Sequence, residues 1–83
     1  MSDQVQARLI SILYSLKEGR VPRERMTNAT KLIDELGIDS LEMINLFLSI
    51  EDEFDLELQY DGISLDTLES VETLSAFIEA ARR

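Results

Sequence analysis

Leu36-Gly37-Ile38-Asp39-Ser40-Leu41-Glu42 is the segment of this 83-residue chain whose residue types and spacing point to chemistry. Ser40 offers a hydroxyl. To act unaided as a nucleophile it needs a base, yet the sequence has no His and no Cys, and a Ser/Lys pair has only Lys17 and Lys31 to draw on. If Ser40 is used, an external enzyme must modify it. Asp39 followed three residues later by Glu42 fits a capping box with Asp in place of Ser or Thr. Asp39 then caps, and Ser40 becomes the first helical residue with a hydroxyl not needed for capping. Unpaired backbone N–H groups and the positive end of the helix dipole favour an anion there, such as a phosphate ester, although Asp39 and Glu42 oppose it in part. Gly37 gives the chain a tight approach. The alternative is that Ser40 is itself an ordinary N-cap, a common place for serine.

The elements that must position this segment are helices. Met43, Leu46, Phe47, Ile50 and Phe54 fall at offsets 0, 3, 4, 7 and 11, one core stripe of a helix over about residues 40–54. Leu41, Ile44 and Leu48 form a second stripe, roughly 130° round at about 100° per residue. A short surface helix needs one core stripe, so the second is expected to be partly exposed for a partner. An earlier helix spans about residues 3–17, with Val5, Leu9, Ile12, Leu13 and Leu16 on one face, and Gly19 and Pro22 stop it. Ser70 caps a last helix whose face is Val71, Leu74, Phe77, Ile78 and Ala81.

Residues 18–39 make a connection longer than the roughly 12–15 residues compact domains tolerate without purpose. Val21, Met26, Leu32, Ile33 and Leu36 are its apolar anchors, with a short helical turn expected within Ala29 to Glu35 and with Arg20, Arg23 and Arg25 on the solvated side. Leu56, Leu58 and Tyr60 alternate with polar residues but lack a partner strand, so an extended loop is expected; Asp61-Gly62 marks a turn and Ser64 to Glu69 a single short helix. The expected architecture is all-α: one domain over 1–83, a small four-helix bundle of three principal helices and one short helix.

Composition narrows the function. A chain this short buries about 60–65% of its unfolded surface, too little for a spacious internal active site. Net charge is −9, and residues 32–81 hold fourteen acids without a single Lys or Arg. Such a surface repels nucleic acid and anionic membranes and suits basic patches on other proteins. There is no basic leader and no apolar run near the length of a bilayer span, so a cytoplasmic, monomeric protein is expected. No metal site is expected either: around Asp55 the oxygen ligands and the Gly of a calcium loop are missing. Glu51, Asp52, Glu53 and Asp55 cluster at the negative end of the second helix, where each carboxylate costs a few tenths to about 1 kcal/mol. Glu51 and Asp55 also repel across one turn. An arrangement opposed to stability is expected to serve docking; a merely solvated face is the alternative.

Asp39-Ser40-Leu41 after Leu36-Gly37, then Glu42, then a helix ending Glu51-Asp52-Glu53-Phe54, resembles the acyl carrier proteins, the phosphopantetheine-binding carrier domains. The long preceding loop, helix count, acidity and length agree with it, and the resemblance covers roughly residues 3–82. It implies that Ser40 receives 4′-phosphopantetheine from coenzyme A through a separate phosphopantetheinyl transferase, with Asp39 and Leu41 helping recognition. The arm brings the thiol that this Cys-free chain lacks, and acyl or aminoacyl groups ride on it as thioesters. Expected partners are loading and condensing enzymes with basic docking patches, met through Glu42, Ile44, Leu48, Glu51, Asp52 and Asp55. The chain is then a carrier and not an enzyme.

Asn45 stands where many fatty-acid carriers have an acid, Ile38 where they often have Ala, and the stretch from Tyr60 to Ser70 is about two residues longer. These departures point away from housekeeping fatty-acid synthesis, toward polyketide, nonribosomal peptide or another specialised pathway. The rival reading is an unmodified acidic helical module that only binds proteins.

Overall fold

The computed structural model describes residues 2–58 and 63–82. Three α-helices carry the fold: α1 (Ser2–Leu16), α2 (Ser40–Phe54) and α3 (Val71–Ala81), with a short 3-10 helix at Arg23–Arg25. Each exists because an apolar stripe at helical spacing finds the same core. Val5, Leu9 and Leu13 of α1 meet Leu46, Ile50 and Phe54 of α2 and Val71, Leu74 and Ile78 of α3, all buried. Ile12, Leu16, Met43, Phe47 and Phe77 flank this cluster, half-buried against it. Ala81 is exposed: it sits in the last turn of α3, past the core that the stripe serves.

α1 stops where the sequence says it should. Gly19 takes a positive φ of 75° and its N–H donates to the Tyr14 carbonyl at 3.0 Å, so the left-handed glycine closes the last turn. The connection that follows is pinned, not free. Met26, Leu32, Leu36 and Ile38 are buried, and Val21 is half-buried. Three backbone bonds tie it to the entrance of α3: Leu32 N–H to Glu69 O (3.2 Å), Val71 N–H to Thr30 O (3.0 Å) and Glu72 N–H to Asn28 O (2.9 Å), with an antiparallel bridge between Lys31 and Ser70. Arg20, Arg23 and Arg25 lie in solvent as expected.

Three expectations need correction. Ile33 is exposed and not an anchor: the turn closes with Glu35 and Leu36 N–H both on the Lys31 carbonyl, which sends Leu32 and Leu36 inward and Ile33 out. That turn occupies residues 32–36 and does not grow into a helix. Residues 64–69 form a hydrogen-bonded turn without becoming a helix: Leu68 N–H reaches Ser64 and Leu65 carbonyls, and the chain must straighten at Ser70 (φ −145°, ψ 171°) to make the bridge. Leu56 is half-buried and Leu58 buried in an irregular stretch, as expected of a loop, while Tyr60 and the Asp61-Gly62 turn lie outside the described residues.

Candidate functional site

Asp39 is the N-cap of α2, and Ser40 is its first helical residue. The Asp39 carboxylate accepts the Glu42 N–H at 2.8 Å, and Glu42 Oε1 accepts the Asp39 N–H at 3.4 Å, closing the box. Of the two readings of Ser40 open in the sequence, the structure takes the one that leaves its hydroxyl unused: Ser40 is exposed, and among the described residues its Oγ makes no hydrogen bond. The sharp entry depends on Gly37, whose φ is +64°. A Cβ there would meet nothing within 4 Å, so glycine is needed for its backbone conformation and not for space. Ile38, next to it, is buried in the core, and Met43 packs against the same cluster. These are the two positions of a hydrophobic staple, which sets the angle at which the chain enters the helix.

Charges around the site are internally matched. Lys17, just beyond α1, places Nζ 3.2 Å from both oxygens of Glu42, with only 15% and 26% of the two side chains exposed. Lys31 pairs with Glu69 at 3.5 Å. Both lysines are thus engaged with carboxylates, and neither is paired with Ser40.

Away from the core, α2 presents Leu41, Ile44 and Leu48 at 67%, 56% and 56% exposure, an apolar strip beginning beside Ser40. The second stripe is therefore outside, as its spacing implied. The acids divide. Glu51 Oε2 accepts the Leu58 N–H at 2.9 Å, and the Glu51 carbonyl accepts Asp55 and Leu56 N–H groups, so this residue turns the chain after α2. Glu53 is held by Arg8, whose Nε reaches Oε2 at 2.8 Å and whose Nη2 reaches the Glu53 carbonyl at 2.7 Å. The Arg8 guanidinium also lies 4.6 Å from the Phe54 ring centroid. Asp52 and Asp55 face solvent, Asp55 in the left-handed conformation (φ 53°, ψ 56°). Of the six residues expected to contact partners, Glu42 and Glu51 thus already serve the fold, whereas Ile44, Leu48, Asp52 and Asp55 are outward. Lys17 and Arg8 are what the sequence reading missed; the only hint was that acids crowded onto one helix need cations from elsewhere.

A groove of about 500 Å³ between α1 and α2, lined by Arg8, Ser11, Ser15, Ser49, Asp52 and Glu53 among others, is open to solvent and does not include Ser40. Among the described residues no cluster could hold a metal ion, and no helix is long and apolar enough to cross a membrane.

The site and the fold around it match a known family. Residues 16–80 match the family described as the phosphopantetheine attachment site. The chain belongs to the acyl carrier proteins. It is 32% identical over 74 residues to aminoacyl carrier protein 1 of Bradyrhizobium diazoefficiens, covering 89% of this chain and 81% of the relative. Against the acyl carrier protein of Buchnera aphidicola the identity is 29% over 75 residues, covering 90% and 85%. The solution structure of a holo acyl carrier protein from Nitrosomonas europaea superposes with a TM-score of 0.78 at 25% identity, covering 92% of each chain. A second similar structure is the glycylated carrier protein complexed with the Bradyrhizobium japonicum glycine:[carrier protein] ligase, with a TM-score of 0.68 and 33% identity over 88% of this chain and 97% of that one. This carrier is accordingly not an enzyme: it bears acyl or aminoacyl groups on covalent 4′-phosphopantetheine and meets partner enzymes. The entrance of α2 fits that group, because it combines an unused hydroxyl with the N–H groups of the first turn, where a helix favours a phosphodiester.

Proposed function

We propose that Ser40 is the attachment residue and that the chain is one carrier domain over residues 1–83, loaded by a phosphopantetheinyl transferase. In that reaction the Ser40 Oγ–H bond and a phosphorus–oxygen bond of the coenzyme A pyrophosphate break, and an Oγ–P bond forms. The adenosine bisphosphate half leaves, and the transferase takes the proton. One observation carries the assignment: Asp39 caps the helix, so the exposed Ser40 hydroxyl at the positive end of α2 has no structural duty. Asp39 and Leu41 contribute to recognition, Asp39 by holding the turn and Leu41 as an exposed apolar contact beside the hydroxyl. The bound arm supplies a thiol on which cargo is held as a thioester.

The cargo reading that fits best is aminoacyl. Asn45 and Ile38 depart from the pattern of fatty-acid carriers, and two of the similar proteins are an aminoacyl carrier and a glycylated carrier. Partner enzymes meet Leu41, Ile44 and Leu48 with Asp52 and Asp55 at the far end, a face more apolar than the bare count of acids suggests. Intact mass after incubation with coenzyme A and a broad-specificity transferase tests the assignment. Wild type is expected to gain one phosphopantetheine and Ser40→Ala none; equal addition to both, or none to wild type, overturns it. Incubating the holo form with ATP, glycine and a glycine:[carrier protein] ligase, then measuring mass again, tests the cargo: a glycyl adduct is expected, and its absence removes glycine.

A further inference from the structure

We propose that Lys17 is a positioning residue for the attachment turn, acting through Glu42; this rests on the assignment of Ser40 above. Glu42 is the residue at which three roles meet. Its N–H is held by Asp39, its carboxylate reaches back to the Asp39 N–H, and the same carboxylate receives Lys17 from 25 residues earlier in the chain. The bond to Asp39 N–H is long, at 3.4 Å, whereas Lys17 bridges both oxygens at 3.2 Å. The ammonium is therefore what keeps this carboxylate turned toward the box.

The Lys17–Glu42 pair is also the least exposed of the ion pairs described, at 15% and 26%, against 38% and 43% for Arg8–Glu53 and more for the others. Exposed pairs contribute little because water screens them; a pair this sheltered retains more of its attraction.

Charge gives the arrangement a purpose beyond rigidity. Without Lys17, the first turn of α2 presents Asp39 and Glu42 unopposed, on either side of the hydroxyl that must accept a phosphate from a polyanionic donor. The half-charge of the helix dipole offsets only part of that. Lys17 cancels Glu42 while leaving Ser40 uncovered. Glu42 is thus an internal support, held away from the role of docking acid that its position in the sequence implies.

The test uses the full chain with coenzyme A and a broad-specificity phosphopantetheinyl transferase, comparing Lys17→Gln, Lys17→Arg, Glu42→Gln and the double variant Lys17→Gln/Glu42→Gln. Lys17→Gln is expected to lower kcat/KM for modification by about threefold to tenfold at low salt, mainly through KM. The deficit shrinks in roughly 0.5 M salt, where the repulsion between an unmatched Glu42 and the polyanionic donor is screened. Lys17→Arg stays within about twofold of wild type. Glu42→Gln restores the rate in the double variant, because the carboxylate that Lys17 matches is then gone and a neutral Gln closes the box without needing a cation beside it. A wild-type rate for Lys17→Gln overturns the proposal. So does a double variant slower than Glu42→Gln alone, or a deficit indifferent to salt. Should Lys17→Gln lose its helical signal, the double variant against Glu42→Gln carries the same comparison. Failure of the Ser40 assignment looks different: wild type takes no phosphopantetheine, or Ser40→Ala takes it.

Discussion

The two ends of α2 carry similar acids under opposite conditions. At the start, Asp39 and Glu42 sit at the positive end of the dipole and close a capping box, so the local sequence and the helix field agree. At the end, Glu51, Glu53 and Asp55 sit at the negative end, where the field opposes them. The structure offsets that cost with partners from elsewhere: Arg8 binds both the Glu53 carboxylate and its carbonyl, and Glu51 takes the Leu58 N–H. The helix field favours acids at its start, where Lys17 matches Glu42 besides, whereas it opposes acids at its end, which depend on partners elsewhere in the fold. Their presence at the end therefore does not by itself signal docking; Asp52 and Asp55 are left for that.

Breaking the favourable end should have the largest effect. Asp39→Ala is expected to cost about 1–2 kcal/mol in urea denaturation, since it removes the side-chain acceptor for the Glu42 N–H. A loss below a few tenths would mean that another group caps α2. Gly37→Ala, two residues back, is expected to cost about 1 kcal/mol because its φ of +64° disfavours any Cβ. Arg8→Ala tests the other end. It removes two charge-assisted hydrogen bonds and a ring contact, but the pair is about two-fifths exposed, so about 1 kcal/mol is expected once screening is counted. If thermal unfolding of that variant matches wild type, the offset at the helix end comes from somewhere other than Arg8.

Smaller effects sharpen the division among the acids. Glu51→Lys, which loses the acceptor for Leu58 N–H, is expected to cost about 0.5–1 kcal/mol, while Glu51→Gln keeps an acceptor and costs a few tenths. Asp52→Lys is expected to change stability by less than about 0.5 kcal/mol, with the helix dipole now on its side. Equal losses for Glu51→Lys and Asp52→Lys would erase the distinction between acids that serve the fold and acids that face a partner.

Much of this was legible in the residues. The spacing of Met43, Leu46, Phe47, Ile50 and Phe54 predicts α2, and Asp39 with Glu42 predicts its start, because capping and periodicity are local and depend on neighbours within one turn. The outward strip of Leu41, Ile44 and Leu48 follows from the same wheel. What misled was equally local in origin. Ile33 looks like an anchor beside Leu32 and Leu36 until the turn at 32–36 sets their directions. Ser64 to Glu69 looks helical until the bridge of Ser70 to Lys31 pulls the chain straight. Ser75 shows the limit from the other side: it is buried on α3 with its hydroxyl lacking a partner among the described residues, a core position that no apolar pattern would select.

By itself the amino-acid order determined that α2 begins at a capped turn with Asp39 and Glu42 spaced for a capping box, since those forces reach only three or four residues along the chain; that Asp39 is the cap and the Ser40 hydroxyl is spare was decided by the structure. Which acids remain available, and which are matched by Lys17 and Arg8, was decided only when α1 packed beside α2. Those pairings join residues 25 and 45 positions apart, and no spacing rule spans such distances until the core has brought the two helices together.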